Sequence, residues 1–114
     1  MDIIKLLLGK GMSVNSPNTY GYTPLHLSAE LGHLDATKTL VEEAANINST
    51  TMFGVTPLMS AALSGTSEIF RYLTERGADI YIRDVDNITA FHLAVVLRSV
   101  DIIKLLLEKG FLYT

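Results

Sequence analysis

Gly21-Tyr22-Thr23-Pro24-Leu25-His26-Leu27-Ser28-Ala29 recurs further along the chain. It returns as Gly54-Val55-Thr56-Pro57-Leu58-Met59-Ser60-Ala61-Ala62 and, more loosely, as Asn87-Ile88-Thr89-Ala90-Phe91-His92-Leu93-Ala94. Thr23, Thr56 and Thr89 stand 33 residues apart. A fixed period of that size marks a stack of repeats, in which each unit buries its apolar face only against its neighbours.

The same period holds outside this stretch. Asp2, Asp35, Glu68 and Asp101 share one position, and Lys5, Lys38, Arg71 and Lys104 share another. Two apolar rows, Ile3/Ala36/Ile69/Ile102 and Leu7/Leu40/Leu73/Leu106, are four residues apart and therefore fall on one helical face. This is the second helix of each unit, with an acidic residue in its first turn as the helix dipole favours. Glycine follows it at positions 11, 77 and 110, where a left-handed residue ends the helix, while Ala44 occupies the same position in another unit.

The first helix of each unit starts at the recurring stretch. Thr23 and Thr56 are placed to cap the free backbone donors, and Pro24 and Pro57 fill the first helical position, where a missing N–H has no consequence. Gly32 and Gly65 then turn the chain into the second helix, so each unit reads as a helical hairpin. Between hairpins lie segments rich in turn formers, in which Gly21, Gly54 and Asn87 share a position that calls for positive φ.

These residues resemble the ankyrin repeat family, whose 33-residue unit couples a β-turn to two antiparallel helices through a Thr-Pro-Leu-His element. Thr23-Pro24-Leu25-His26, Gly32-His33-Leu34-Asp35 and Gly77-Ala78-Asp79-Ile80 match that pattern at the expected offsets. The resemblance covers essentially the whole chain. It implies an all-α repeat fold, an ankyrin-type solenoid of helix-turn-helix units joined by β-turn loops. The expected single domain, residues 1–114, divides into a half repeat, 1–17, and repeats 18–50, 51–83 and 84–114. The pattern loosens where Ala90-Phe91 replaces Pro-Leu, Arg98 replaces the inter-helix glycine and Met59 replaces the histidine. The array begins with a lone second helix and stops just after another, which fits a segment of a longer protein or an unusually short member.

Composition narrows the function classes. Nine basic and twelve acidic residues give a net charge of −3, with no basic stripe to neutralise a phosphate backbone, so nucleic acid is not an expected partner. The absence of cysteine excludes a disulfide framework and thiolate metal sites, and fits a reducing compartment. Neither a signal segment nor a membrane span is evident, so membrane insertion is not expected and the expected location is intracellular, in the cytoplasm.

No catalytic constellation emerges, and no metal or cofactor is expected. His26 and His92 occupy one repeat position two periods apart and read as framework. Asp84-Val85-Asp86-Asn87 opens like a calcium loop, but Ile88 stands at the fifth position and no glycine stands at the sixth. Gly9-Lys10-Gly11 lacks the spacing of a phosphate loop. Ser28 and Ser60 have no histidine and carboxylate partners at suitable spacing.

The family resemblance further implies a binding surface on the concave side, made by loop tips and the exposed edge of the first helices. Carried over by position, it comprises Tyr20, Tyr22, Leu31, Met52, Phe53, Val55, Leu63, Val85, Ile88 and Leu97, with Thr19, Glu30, Ser64, Asp86 and Val96 among them. Apolar and aromatic residues dominate this set, and contiguous exposed apolar patches mark interaction sites. The opposing reading is that these side chains pack loop against loop. The expected function is therefore a non-catalytic protein-interaction module, with an enzyme-directed inhibitor or targeting subunit, or a structural spacer in a longer array, as alternatives.

Overall fold

The computed structural model describes residues 13–110. Within them the chain forms six helices: α1 (Pro24–Glu30), α2 (Leu34–Glu42), α3 (Pro57–Ser64), α4 (Ser67–Glu75), α5 (Ala90–Val96) and α6 (Val100–Glu108). No strand is present among the described residues. The helix expected before residue 9, the Gly9-Lys10-Gly11 turn and the residues after Gly110 lie outside them.

Each odd-numbered helix begins at a threonine in extended conformation. Thr23, Thr56 and Thr89 accept from the backbone N–H of His26, Met59 and His92, and proline fills the first turn of α1 and α3. In α1 and α5 the histidine side chain returns a bond to the threonine N–H, completing a capping box. A short turn through Gly32, Gly65 or Arg98 then reverses the chain. All three backbones lie in the left-handed region, with φ of 74°, 72° and 57°.

The hairpins stack in register, α1 on α3 and α3 on α5 in one layer, α2 on α4 and α4 on α6 in the other. Burial follows the expected face: Ile69, Leu73, Ile102 and Leu106 are fully enclosed and Leu40 nearly so. Ala36 departs from it, being half-buried. Thr37, one residue on, takes the buried place and satisfies its hydroxyl against the His33 carbonyl at 2.8 Å and the Ser28 hydroxyl at 2.9 Å. In α3 almost every residue is enclosed, because small Ala61 and Ala62 let α1 and α5 approach from both sides.

Loops 18–22, 51–55 and 84–88 share one construction. The first residue's N–H donates to the last residue's carbonyl, at 2.8, 3.0 and 2.9 Å. The first residue's side-chain oxygen also accepts two backbone N–H groups. Asn18 takes those of Tyr20 and Tyr22, Thr51 those of Phe53 and Val55, and Asp84 those of Asp86 and Ile88. Asp84 is thus a loop-closing acceptor, which accounts for the acidic run without calcium.

Adjacent loops are fastened backbone to backbone: Met52 N–H donates to the Tyr20 carbonyl and Val85 N–H to the Phe53 carbonyl, each at 2.9 Å. The approach is close enough that a Cβ on Gly21 would lie 3.0 Å from the Met52 nitrogen, and one on Gly54 would lie 2.9 Å from the Asp84 Cα. Glycine is required at both positions for space as well as for φ.

Candidate functional site

The loop ladder carries an aromatic pair on its outer edge. The Tyr20 and Phe53 rings stack with centroids 6.5 Å apart and planes 24° from parallel. Both stay open to solvent, at 56% and 44% exposure, beside Met52 at 63% and Val85 at 66%. Leu31, Leu63 and Leu97, at the ends of the odd-numbered helices and the turns that follow them, are exposed as well. Seven of the ten residues singled out from the sequence therefore present apolar surface, spread over loop tips and helix ends of three consecutive hairpins.

The other three, Tyr22, Val55 and Ile88, are half-buried. They follow the tip glycine or asparagine and precede the capping threonine, so their side chains turn toward the stack. Tyr22 sets its ring edge-on to the His26 imidazole, centroids 5.7 Å apart, and Val55 packs against the core. At these positions the loop-packing reading describes the geometry, whereas at Tyr20, Met52, Phe53 and Val85 the side chains stand clear. Exposed Val96 and Leu27 extend the apolar surface beyond the ten.

Beneath the loops, His26 is a structural clamp. Its Nδ1 accepts from the Thr23 N–H at 3.1 Å, which places the proton on Nε2, and Nε2–H donates across the hairpin boundary to the Val55 carbonyl at 2.7 Å. Burial pushes the imidazole below its ordinary value, opposed by the backbone of Val55 and Ser49 and the charge of Glu30. The ring is neutral at neutral pH and committed at both nitrogens, which leaves it no capacity for general-base chemistry. His92 makes the corresponding contacts to Thr89, at 3.0 Å from its N–H and 2.8 Å from its hydroxyl.

The remaining concavities are different in kind. A groove of about 420 Å³ on α5 is lined by Phe91, His92, Val95 and Val96. A polar recess of about 380 Å³ under the first two loops is lined by Asn15, Gly21, Asn46 and Ser49. On the side of α2 and α4, Lys38 and Arg76 each lie 5.7 Å from the Tyr72 ring centroid, a pair of cation–π contacts. No group of three or more His, Cys, Asp or Glu side chains suited to a metal exists among the described residues. No helix among them is long and apolar enough to cross a membrane.

A stack of capped helical hairpins joined by loops that bond edge to edge defines a repeat protein. The family model for ankyrin repeats (3 copies) matches residues 1–51 and 45–114. The chain belongs to the ankyrin repeat family. Ankyrin repeats are generally protein–protein interaction modules and typically non-catalytic. Comparison with curated proteins returned no match.

Proposed function

We propose that this chain is a non-catalytic interaction module that grips an exposed apolar segment of another protein along the surface carrying Tyr20, Met52, Phe53, Val85 and the helix-end leucines 31, 63 and 97. The observation that carries this reading is the solvent-exposed Tyr20–Phe53 stack flanked by Met52 and Val85. Tyrosine, phenylalanine and methionine are enriched in interface cores, where large side chains supply contact area. Here their backbones are held by paired loop bonds, so little order remains to be imposed on binding. A net charge of −3 favours a protein partner over nucleic acid, and a chain without cysteine is in keeping with the cytoplasm.

The test is affinity isolation with the wild-type chain and with a Tyr20→Ser/Phe53→Ser variant, Tyr22 being retained because its ring backs His26. Anchor residues of this type are each worth about 2 kcal/mol or more at an interface, so capture of the wild-type partner falls by at least about tenfold while the helical circular dichroism is unchanged. Equal capture by the folded variant removes the site from this surface.

A further inference from the structure

We infer that the α5–α6 hairpin opens and recloses as a unit while α1 to α4 stay packed, because the polar clamp that fastens the first two hairpins is replaced between the second and the third. This inference concerns the free chain and is independent of the docking reading.

Among the described residues, hydrogen bonds cross from the first hairpin to the second at the loop, from Met52 N–H to the Tyr20 carbonyl, and at the clamp, from His26 Nε2–H to the Val55 carbonyl. From the second hairpin to the third, the loop bond recurs between Val85 N–H and the Phe53 carbonyl. The clamp does not recur. Met59 stands in the histidine position, buried to 1% exposure, and a thioether can donate no proton to the Ile88 carbonyl, the counterpart of Val55. The hydrogen bonds of His92 stay within its own hairpin, through Nδ1 to Thr89, so the third hairpin's own histidine does not fasten it to the second.

Two further observations point the same way. In α5 only Ala90 and Ala94 are buried, against four residues of α1, which likewise has a single described neighbour in its layer. Arg98 also holds the left-handed turn between α5 and α6 at φ 57°, a conformation that Gly32 and Gly65 adopt without side-chain strain. Repeat stacks are stabilised by nearest-neighbour interfaces, and the boundary with the weaker interface sets where such a stack parts first. On the docking reading above, Val85 and Leu97 travel with the opening hairpin while Tyr20, Met52 and Phe53 stay in place. A segment spanning both sides then closes the hairpin as it binds.

Hydrogen exchange of the full chain tests this without any partner. Amides of α5 and α6 are expected to exchange on the order of tenfold faster than those of α3 and α4. Met59→His supplies the missing donor and is expected to slow α5 and α6 by about fivefold, one ordinary hydrogen bond's worth, with α1 and α2 unchanged. The reciprocal His26→Met gives the first boundary the composition of the second, and exchange in α1 and α2 rises toward that of α5 and α6. It decides the matter should Met59→His fail to fold. Uniform exchange across the three wild-type hairpins overturns the inference, as does a folded Met59→His or His26→Met chain with the wild-type exchange pattern.

Discussion

Replacing His26 by methionine isolates the hydrogen bonds of the clamp from its shape, because Met59 already occupies the equivalent position at 1% exposure. The substitution leaves the buried Thr23 N–H without its 3.1 Å acceptor and removes the 2.7 Å bond to the Val55 carbonyl. The carbonyl itself keeps its bond from Thr51 N–H at 3.0 Å and is not orphaned. One buried unsatisfied donor costs about 1–3 kcal/mol and one lost bond about 1 kcal/mol, giving about 2–4 kcal/mol in all. That is a large part of the stability of a small domain. The loss is pH-dependent. Burial lowers the folded-state value of His26, so the unfolded chain takes up a proton near pH 6.5, where the folded chain still refuses it. The wild-type contribution is therefore complete above about pH 6.5 and declines as pH falls through it until the folded-state value is reached, with a slope no steeper than about 1.4 kcal/mol per pH unit. Urea unfolding followed by circular dichroism at pH 7.5, 6.5 and 5.5 should show a destabilised variant with a shallower acid slope than the wild type. A variant within about 0.5 kcal/mol of wild type at pH 7.5, or parallel pH slopes, would refute the clamp.

Gly54→Ala and Gly77→Ala both place a side chain at positive φ, 77° and 96°, but only the first meets backbone, 2.9 Å from the Asp84 Cα, whereas the second has nothing within 4 Å. Chemical denaturation should give about 1 kcal/mol for Gly77→Ala and about 2 kcal/mol or more for Gly54→Ala; equal costs would mean that the loops do not approach as closely as described. Ala44→Gly relieves a φ of 72° and should raise thermal stability by about 0.5–1 kcal/mol, against the usual penalty for introducing glycine.

The architecture was legible because several registers of one period could be superimposed, so each position reported its environment more than once. The caps at Thr23 and Thr56, the hairpin turns and the buried rows of α4 and α6 all follow from that repetition. What it hid were features that recur in chemistry but not in identity. Asn18, Thr51 and Asp84 close their loops in the same way, yet share only an acceptor oxygen, and no comparison of residue types aligns them. Ala36 and Thr37 exchange burial because a pair of hydroxyl bonds, to His33 and Ser28, makes an enclosed threonine tolerable. Tyr22, Val55 and Ile88 were grouped with the exposed tips by family position, although a residue pinned between a left-handed turn and a helix cap has little freedom to turn outward.

The candidate surface contains its own control. Tyr20, Phe53 and Asp86 occupy one repeat position, as do Thr19, Met52 and Val85. The loops bond through the backbone of these residues, Tyr20 and Phe53 accepting and Met52 and Val85 donating, so the fold makes no demand on the side chains. Asp86 and Thr19 stand in the same conformational slots as the aromatic and apolar residues, which shows that a polar side chain serves the loop as well. Exposing an aromatic or apolar side chain forfeits roughly 25 cal/mol for each Å² left in water relative to burial, a cost that the stacking of Tyr20 on Phe53 offsets only in part. The clustering of Tyr20, Met52, Phe53 and Val85 at the tips of adjacent loops, where polar residues would fold equally well, is therefore a property of the surface rather than of the scaffold, and it is this that directs the functional reading to the loop edge.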